Sequence, residues 1–309
     1  MKLLLYYLFY PGFVFASIVG LLSTWFDRKL SARIQWRQGP PWYQSFADIG
    51  KLLFKEVIIP REANRSGFVI APLFGVAAVT LAVTILGVNV IEIGSLSVGF
   101  IGDVIVVWYL FAIPAIVLVY LGSVSGNPLS SVGVAREIKL LLSYDLPMVI
   151  LIAMVAAKTG GFSIKAIIEW QRINGSIIGN WYGILGFIIA IFCIQAKLGR
   201  VPFDLAEAET ELGSGILMEL SGPILAAYEL SQAIALFGLS FFLIVIFWGG
   251  FFGGLGILWT IFKYLLIMFL LILIKNTNPR VKIDQAMKYF WGWMTGGAIL
   301  AGILAYLGV

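Results

Sequence analysis

The stretch Pro223 to Phe247 reads PILAAYELSQAIALFGLSFFLIVIF, with one acid, Glu229, and no base. It exceeds the roughly 20 apolar residues that a helix needs to cross the hydrocarbon core of a bilayer. Working outward, comparable runs fall near 3 to 26, 68 to 91, 103 to 121, 138 to 157, 181 to 198, 257 to 275 and 288 to 308. The composition agrees, with 61% hydrophobic and 12% charged residues, far from the soluble average. The sequence therefore predicts an all-α polytopic membrane protein, a single transmembrane domain over residues 1–309 with about eight spans. The first run has no small-residue cleavage site and leads straight into a basic loop, so it is expected to stay as an anchor.

Orientation follows from the basic residues, because short loops rich in Lys and Arg stay on the cytoplasmic side. Of the 21 lysines and arginines, all but Lys2, Lys158, Lys165, Arg172 and Lys263 lie in or beside the loops after the first, third, fifth and seventh spans. Those loops are expected to be cytoplasmic and both termini extracytoplasmic, in the cell membrane. The longest loop covers 27–67. Within it Gly39, Pro40 and Pro41 break the chain after a basic run, and Gln44 to Glu56 reads as an amphipathic surface helix. Asp48, Lys51 and Lys55 take its polar side, Phe46, Ile49, Leu52 and Leu53 the other. Such a helix either anchors to lipid or serves as a ledge for a cytoplasmic subunit.

The loop at 199–222 differs from the others. From Lys197 the chain reads KLGRVPFDLAEAETELGSGILMELSG, with five acids, Asp204, Glu207, Glu209, Glu211 and Glu219, beside two bases, Lys197 and Arg200. Pro202 suits a first helical turn and Asp204 its positive end, which predicts a short helix from Pro202 to Leu212 stopped by Gly213 and Gly215. Asp204, Glu207 and Glu211 would share one face of it. Like charges four residues apart cost a few tenths of a kcal/mol when exposed and raise proton affinity when partly buried. A solvated acidic face is the ordinary reading of such a loop. Against it, the acids crowd beside the spans, and Asp145, Glu229 and Lys263 lie inside spans, where ionisable groups are costly and usually functional. In the fourth span Glu137, Leu141, Tyr144, Asp145 and Met148 form one stripe, and Pro147 frees a backbone carbonyl near Asp145. Asp145 is then either a polar lock between helices or a step in a proton relay.

The sequence has no histidine and one cysteine, Cys193. Iron-sulfur clusters, structural zinc, histidine-ligated haem and an internal disulfide all need more, so this chain is expected to hold no redox centre, metal or cofactor. Gly249, Gly250, Gly253, Gly254 and Gly256 lack the Lys-Ser/Thr sequel of a phosphate-binding loop. The net charge of +5 suits anionic lipid headgroups, with no sign of a nucleic-acid partner.

Three long segments resemble the membrane subunit called H, or subunit 1, of respiratory complex I and its relatives. They are RIQWRQGP with FADIGKLLFKE and IIP to Pro60; GRVPFDLAEAETEL with ELSG; and NPRVKIDQAMK in the last loop, 276–287. Ser143 to Asp145, SYD, falls where that family carries a Ser-Tyr-acid motif. Only Pro41 to Phe46 separate the Gly-Pro turn from the Ala-Asp of the surface helix, fewer than in quinone-reducing members. Arg136-Glu137 and Met218 to Gly222 are closer to the energy-converting, or group 4, nickel-iron hydrogenases.

The resemblance implies a membrane anchor and coupling subunit of a ferredoxin-dependent, hydrogen-evolving hydrogenase complex, joined to proton or sodium translocation. Its partners would be hydrogenase-like large and small subunits, a ferredoxin-like subunit and antiporter-like membrane subunits. Iron-sulfur clusters and a nickel-iron centre would reside in those partners. Asp204, Glu207, Glu209 and Glu211 would open a charge relay continued by Glu219, Glu137, Asp145 and Glu229. Arg33, Arg37, Arg200, Arg280 and Asp284 would hold carboxylates or the peripheral arm. The same kind of anchor would also serve a sulfane sulfur reductase or a quinone-reducing enzyme. A stand-alone secondary transporter would show inverted repeats and broken helices in matching halves, which this sequence lacks.

Overall fold

The computed structural model describes residues 2–61, 63–91, 100–206, 208, 211, 213, 215–249 and 256–308. About 80% of the chain is helical, and no strand occurs among the described residues. Among the described residues, seven helices are long and apolar enough to cross a membrane: Leu4–Ile34, Arg65–Val90, Asp103–Val124, Pro128–Thr159, Gly222–Trp248, Gly256–Thr277 and Ile283–Leu307. The shorter apolar helix Trp181–Lys197 makes the eighth expected span. In chain order they are spans 1 to 8, with Trp181–Lys197 as span 5 and Gly222–Trp248 as span 6.

Span 6 is the axis of the bundle. Within its apolar window 83% of residues are buried, against 33% in span 7 and 22% in span 8, which present most of their surface outward. It packs on spans 1 and 2, and the contact with span 1 is close because Gly20 has no side chain. A Cβ there would lie 2.6 Å from the carbonyl oxygen of Ala233.

Local chemistry fixes the ends of the elements. Asn127 caps span 4, its side chain accepting from Leu129 N at 2.9 Å, with Pro128 in the first turn. Gly160, in the left-handed conformation, ends the same helix. The last turn of span 6, Ile244–Trp248, is π-helical, which leaves carbonyls unbonded within the helix. Side chains of two other elements bond them: Gln171, on the helix Ile164–Asn174, donates to Val245 O and Ile246 O at 2.9 and 3.1 Å, and Lys263 donates to Trp248 O at 2.7 Å. Lys263 therefore sits within span 7 as a cap on the negative end of span 6.

The surface helix is Gln44–Leu53, three residues shorter than the sequence suggests. Its start is pinned by Asp48, which accepts from Arg28 and Gln44, both at 2.7 Å. The expected helix Pro202 to Leu212 is not formed at its start, where residues 202–206 run as turn, bend and irregular chain; 207, 209, 210 and 212 lie outside the described residues. Tertiary contacts override the local preference. Phe203 packs against the rings of Tyr289 and Phe290, Pro202 O accepts from Val281 N at 3.1 Å, and Asp204 pairs with Arg280 at 2.7 Å. A 3₁₀ turn, Gly215–Glu219, follows and plugs Ile216 into a second apolar cluster with Phe68, Leu121 and Val134.

Candidate functional site

Lys197, the last residue of span 5, is fully buried in its side chain. Its ammonium nitrogen lies 3.6 Å from Asp145 Oδ1, on span 4, beyond hydrogen-bond reach. No hydrogen-bond acceptor meets it among the described residues. The charge rests on aromatic faces instead: the nitrogen is 3.5 Å from the centre of the Trp108 ring and 5.4 Å from that of Tyr144. Asp145 in turn accepts a hydrogen bond from Trp108 Nε1, at 3.0 Å. The Tyr144 hydroxyl is buried with no hydrogen-bond partner among the described residues.

Three residues further on, Arg200 serves a second carboxylate. Asp27, near the end of span 1, is 3% exposed; it accepts hydrogen bonds from Lys275 at 3.1 Å and the Ser31 hydroxyl at 3.2 Å and forms an ion pair with Arg200 at 2.9 Å. This node ties span 1, the exit of span 5 and the end of span 7 together.

Small polar-lined cavities run between these groups. One of about 130 Å³ lies under the surface helix and is lined by Arg28, Ser45, Asp48 and Glu229. It shares the wall of Thr24, Glu229 and Ala233 with a cavity of about 160 Å³ lined also by Arg200, Tyr228 and Gln232. That cavity shares Gly199, Tyr228 and Gln232 with a third, of about 10 Å³, lined by Glu137, Lys197 and Asp204. The first two have room for several waters and the third for about one. The row leads from the surface helix to Lys197, and so to Asp145.

The structure thus brings Glu229, Asp204 and Glu137 onto this row and Asp145 to its inner end. It does not bring Glu211 or Glu219 there. Glu211 is exposed and pairs with Arg136 at 2.5 Å, and Glu219 accepts from Asn127 at 2.7 Å. Glu207 and Glu209 lie outside the described residues. Arg200 and Arg280 hold carboxylates, Asp27 and Asp204, while Arg33, Arg37 and Asp284 lie on the surface. Sequence reasoning missed Asp27, Lys197, Lys275 and Trp108 as site residues. Asp27 and Lys275 read as ordinary charges at span ends. The only signal for Lys197 was its place at the very end of the apolar run of span 5.

The profile of the family described as NADH dehydrogenase matches residues 8–306, nearly the whole chain. This chain belongs to the NADH dehydrogenase family. Among its relatives in that family is the H subunit of the NADH-quinone oxidoreductase of Brevibacillus brevis, 32% identical over 292 residues, which cover 89% of this chain and 85% of the relative. The corresponding chain of Dehalococcoides mccartyi strain CBDB1 is 32% identical over 307 residues, covering 94% and 82%. A solved structure, a chain of the membrane-bound sulfane sulfur reductase, an archaeal respiratory membrane complex, superposes with a TM-score of 0.88 at 29% identity, over 99% of this chain and 100% of that one. The chain is accordingly a multi-pass membrane subunit of a complex I-like assembly.

Proposed function

We propose that this chain is the membrane anchor and coupling subunit of a ferredoxin-dependent, hydrogen-evolving complex, linking electron transfer in a water-soluble arm to proton or sodium translocation. In this reading the Arg-rich end of the bundle faces the cytoplasm and carries the arm. The arm's hydrogenase-like and ferredoxin-like subunits contain the iron-sulfur clusters and nickel-iron centre, and antiporter-like subunits flank the chain in the membrane. The observation that carries the coupling role is the row of polar cavities from Asp48 past Glu229 and Glu137 to the Lys197–Asp145 pair. A buried lysine 3.6 Å from a carboxylate and cushioned by rings answers to any change of charge nearby. Charge delivered at Glu229 would pass by water and carboxylate to Glu137, shift Lys197, and so act on span 4 at Asp145.

The short stretch Pro41 to Phe46 favours hydrogen evolution over quinone reduction. Sulfane sulfur as acceptor is a second reading, favoured by the likeness to the sulfane sulfur reductase chain over nearly the full length. The test is the intact complex in native vesicles, assayed for ferredoxin-driven hydrogen evolution and ion uptake, with Asp145→Asn and Glu229→Gln beside the native chain. Variants that assemble and evolve hydrogen but lose ion uptake support the coupling role. Uptake unchanged in both would end it. Reduction of sulfane sulfur or quinone without hydrogen would keep the coupling role and replace the acceptor.

A further inference from the structure

Span 1 ends in a Schellman motif: Arg37 N donates to Ala32 O at 2.7 Å and Trp36 N to Arg33 O at 3.2 Å. The residue after the cap of such a motif adopts the left-handed conformation and is usually glycine. Here it is Trp36, with φ 57°, the one non-glycine residue at positive φ among the described residues. A bulky side chain in that region is a strained choice. The strain gains nothing inside the chain, because Trp36 is 98% exposed.

Its surroundings hold the backbone in place. Gly39 packs against Lys29, where a Cβ would come within 2.7 Å of the lysine side chain, and Trp25 Nε1 donates to Pro40 O at 3.1 Å, so the chain folds back along span 1 and leaves Trp36 at the tip. The Arg37 guanidinium donates to the Gln35 side chain, Gln35 donates to Asn276 at 2.9 Å, Asn276 to Ser31 at 3.1 Å, and Ser31 to Asp27 at 3.2 Å. The tip is thereby tied to the Asp27 node.

A membrane-interface role does not suit this position. The apolar part of span 1 stops at Phe26, and the helix continues to Ile34. Eight more residues at 1.5 Å each carry Trp36 about 12 Å beyond the apolar stretch, whereas headgroups add about 5–8 Å per leaflet. Exposed Arg33 and Arg37 lie three residues before it and one after it in the chain. An exposed Trp on a held backbone, with arginines beside it in the chain, is the composition of an interface hot spot.

We propose that Trp36 is the anchor by which a water-soluble subunit of the same complex docks on this chain, its ring entering an apolar slot on the partner edged by carboxylates that meet Arg33 and Arg37. This rests on the arm-bearing role proposed above. The test uses the assembled complex in native membranes, with release of the arm subunits followed under rising salt, for the native chain and for Trp36→Gly, Trp36→Ala and Trp36→Phe. Trp36→Gly should unfold at the native temperature or about 1–3 °C above it, since glycine relieves the left-handed strain. Yet it and Trp36→Ala should bind the arm at least about tenfold more weakly, with Trp36→Phe between. Gln38→Cys should take up a polar maleimide in stripped membranes and be shielded when the arm is on; Cys193 is buried and is the sole native cysteine. Arm retention equal to native in Trp36→Gly and Trp36→Ala overturns the anchor and leaves the arm-bearing role standing. A native chain that retains no arm at all overturns that role as well.

Discussion

Two carboxylates, Asp27 buried and Asp145 partly so, each draw a cation from one short segment, Lys197 to Arg200, and are held in opposite ways. Asp27 has two cations and a hydroxyl within 3.2 Å, contributed by spans 1 and 7 and the exit of span 5. Asp145 has one indole N–H and a lysine held 3.6 Å away against a ring. A carboxylate held by two cations and a hydroxyl is a joint: any movement loses the hydrogen bonds from Lys275 and Ser31 and the Arg200 ion pair at once. An ion pair short of hydrogen bonds has less to lose, and a neighbouring charge can rearrange it. The difference assigns rigidity to the segment's far end and responsiveness to Lys197.

The hardest blow to that contrast is Lys197→Met, which leaves Asp145 largely buried with only Trp108 to support its charge. Stripping one partner from a buried pair costs about 3–5 kcal/mol. The purified complex should unfold at clearly lower temperature, and assembled copies should lose ion uptake while electron transfer continues. Native unfolding with native uptake would make the interior pair an ornament. Asp27→Asn should act less strongly and differently. Arg200 and Lys275 reach solvent in part, so the loss is about 1–3 kcal/mol, below the figure for a fully buried pair. Ions moved per electron, measured on copies that remain assembled, should be unchanged. A fall in that ratio would merge the two regions into one device.

Much of this architecture is written in apolar run length, because a membrane span must satisfy its own backbone. That is why Pro223 to Phe247 alone announces the fold, and why the eight runs match the eight helices to within a few residues apart from longer ends. The acidic loop was legible as a site and illegible as a shape. Pro202 and Asp204 favour a helix start locally, but Phe203 between two rings and Asp204 on Arg280 hold the chain open. These are contacts across some 80 residues of sequence, which no local propensity encodes. Asp27 stayed hidden for a related reason. Beside Arg28 and Lys29 it reads as part of a basic span end, and only the packing of spans 1, 5 and 7 buries it. Glu137, Asp145 and Glu229 were legible because a charge inside a span needs a reason.

The smallest effect sharpens the contrast from outside the membrane, at Asp48 on the surface helix. Burial pushes its carboxyl upward, but the hydrogen bonds from Arg28 and Gln44, with the charge of Arg28, outweigh this and hold it below the usual carboxylate range. A lowered folded value means the pair is fully formed above the unfolded value of about 3.9 and is lost only as pH falls through the still lower folded one. The helix Gln44–Leu53 should therefore show equal amide protection at pH 7 and pH 5, after correction for intrinsic exchange, and loosen below about pH 4. Arg28 and Asp48 are both over a third exposed or close to it, so water screens the pair and its worth is a few tenths of a kcal/mol. Arg28→Ala should accordingly lower protection only about twofold. A loss much larger than that would mean that Asp48 is a joint of the Asp27 kind, and that the cavity beneath the surface helix is closed by it.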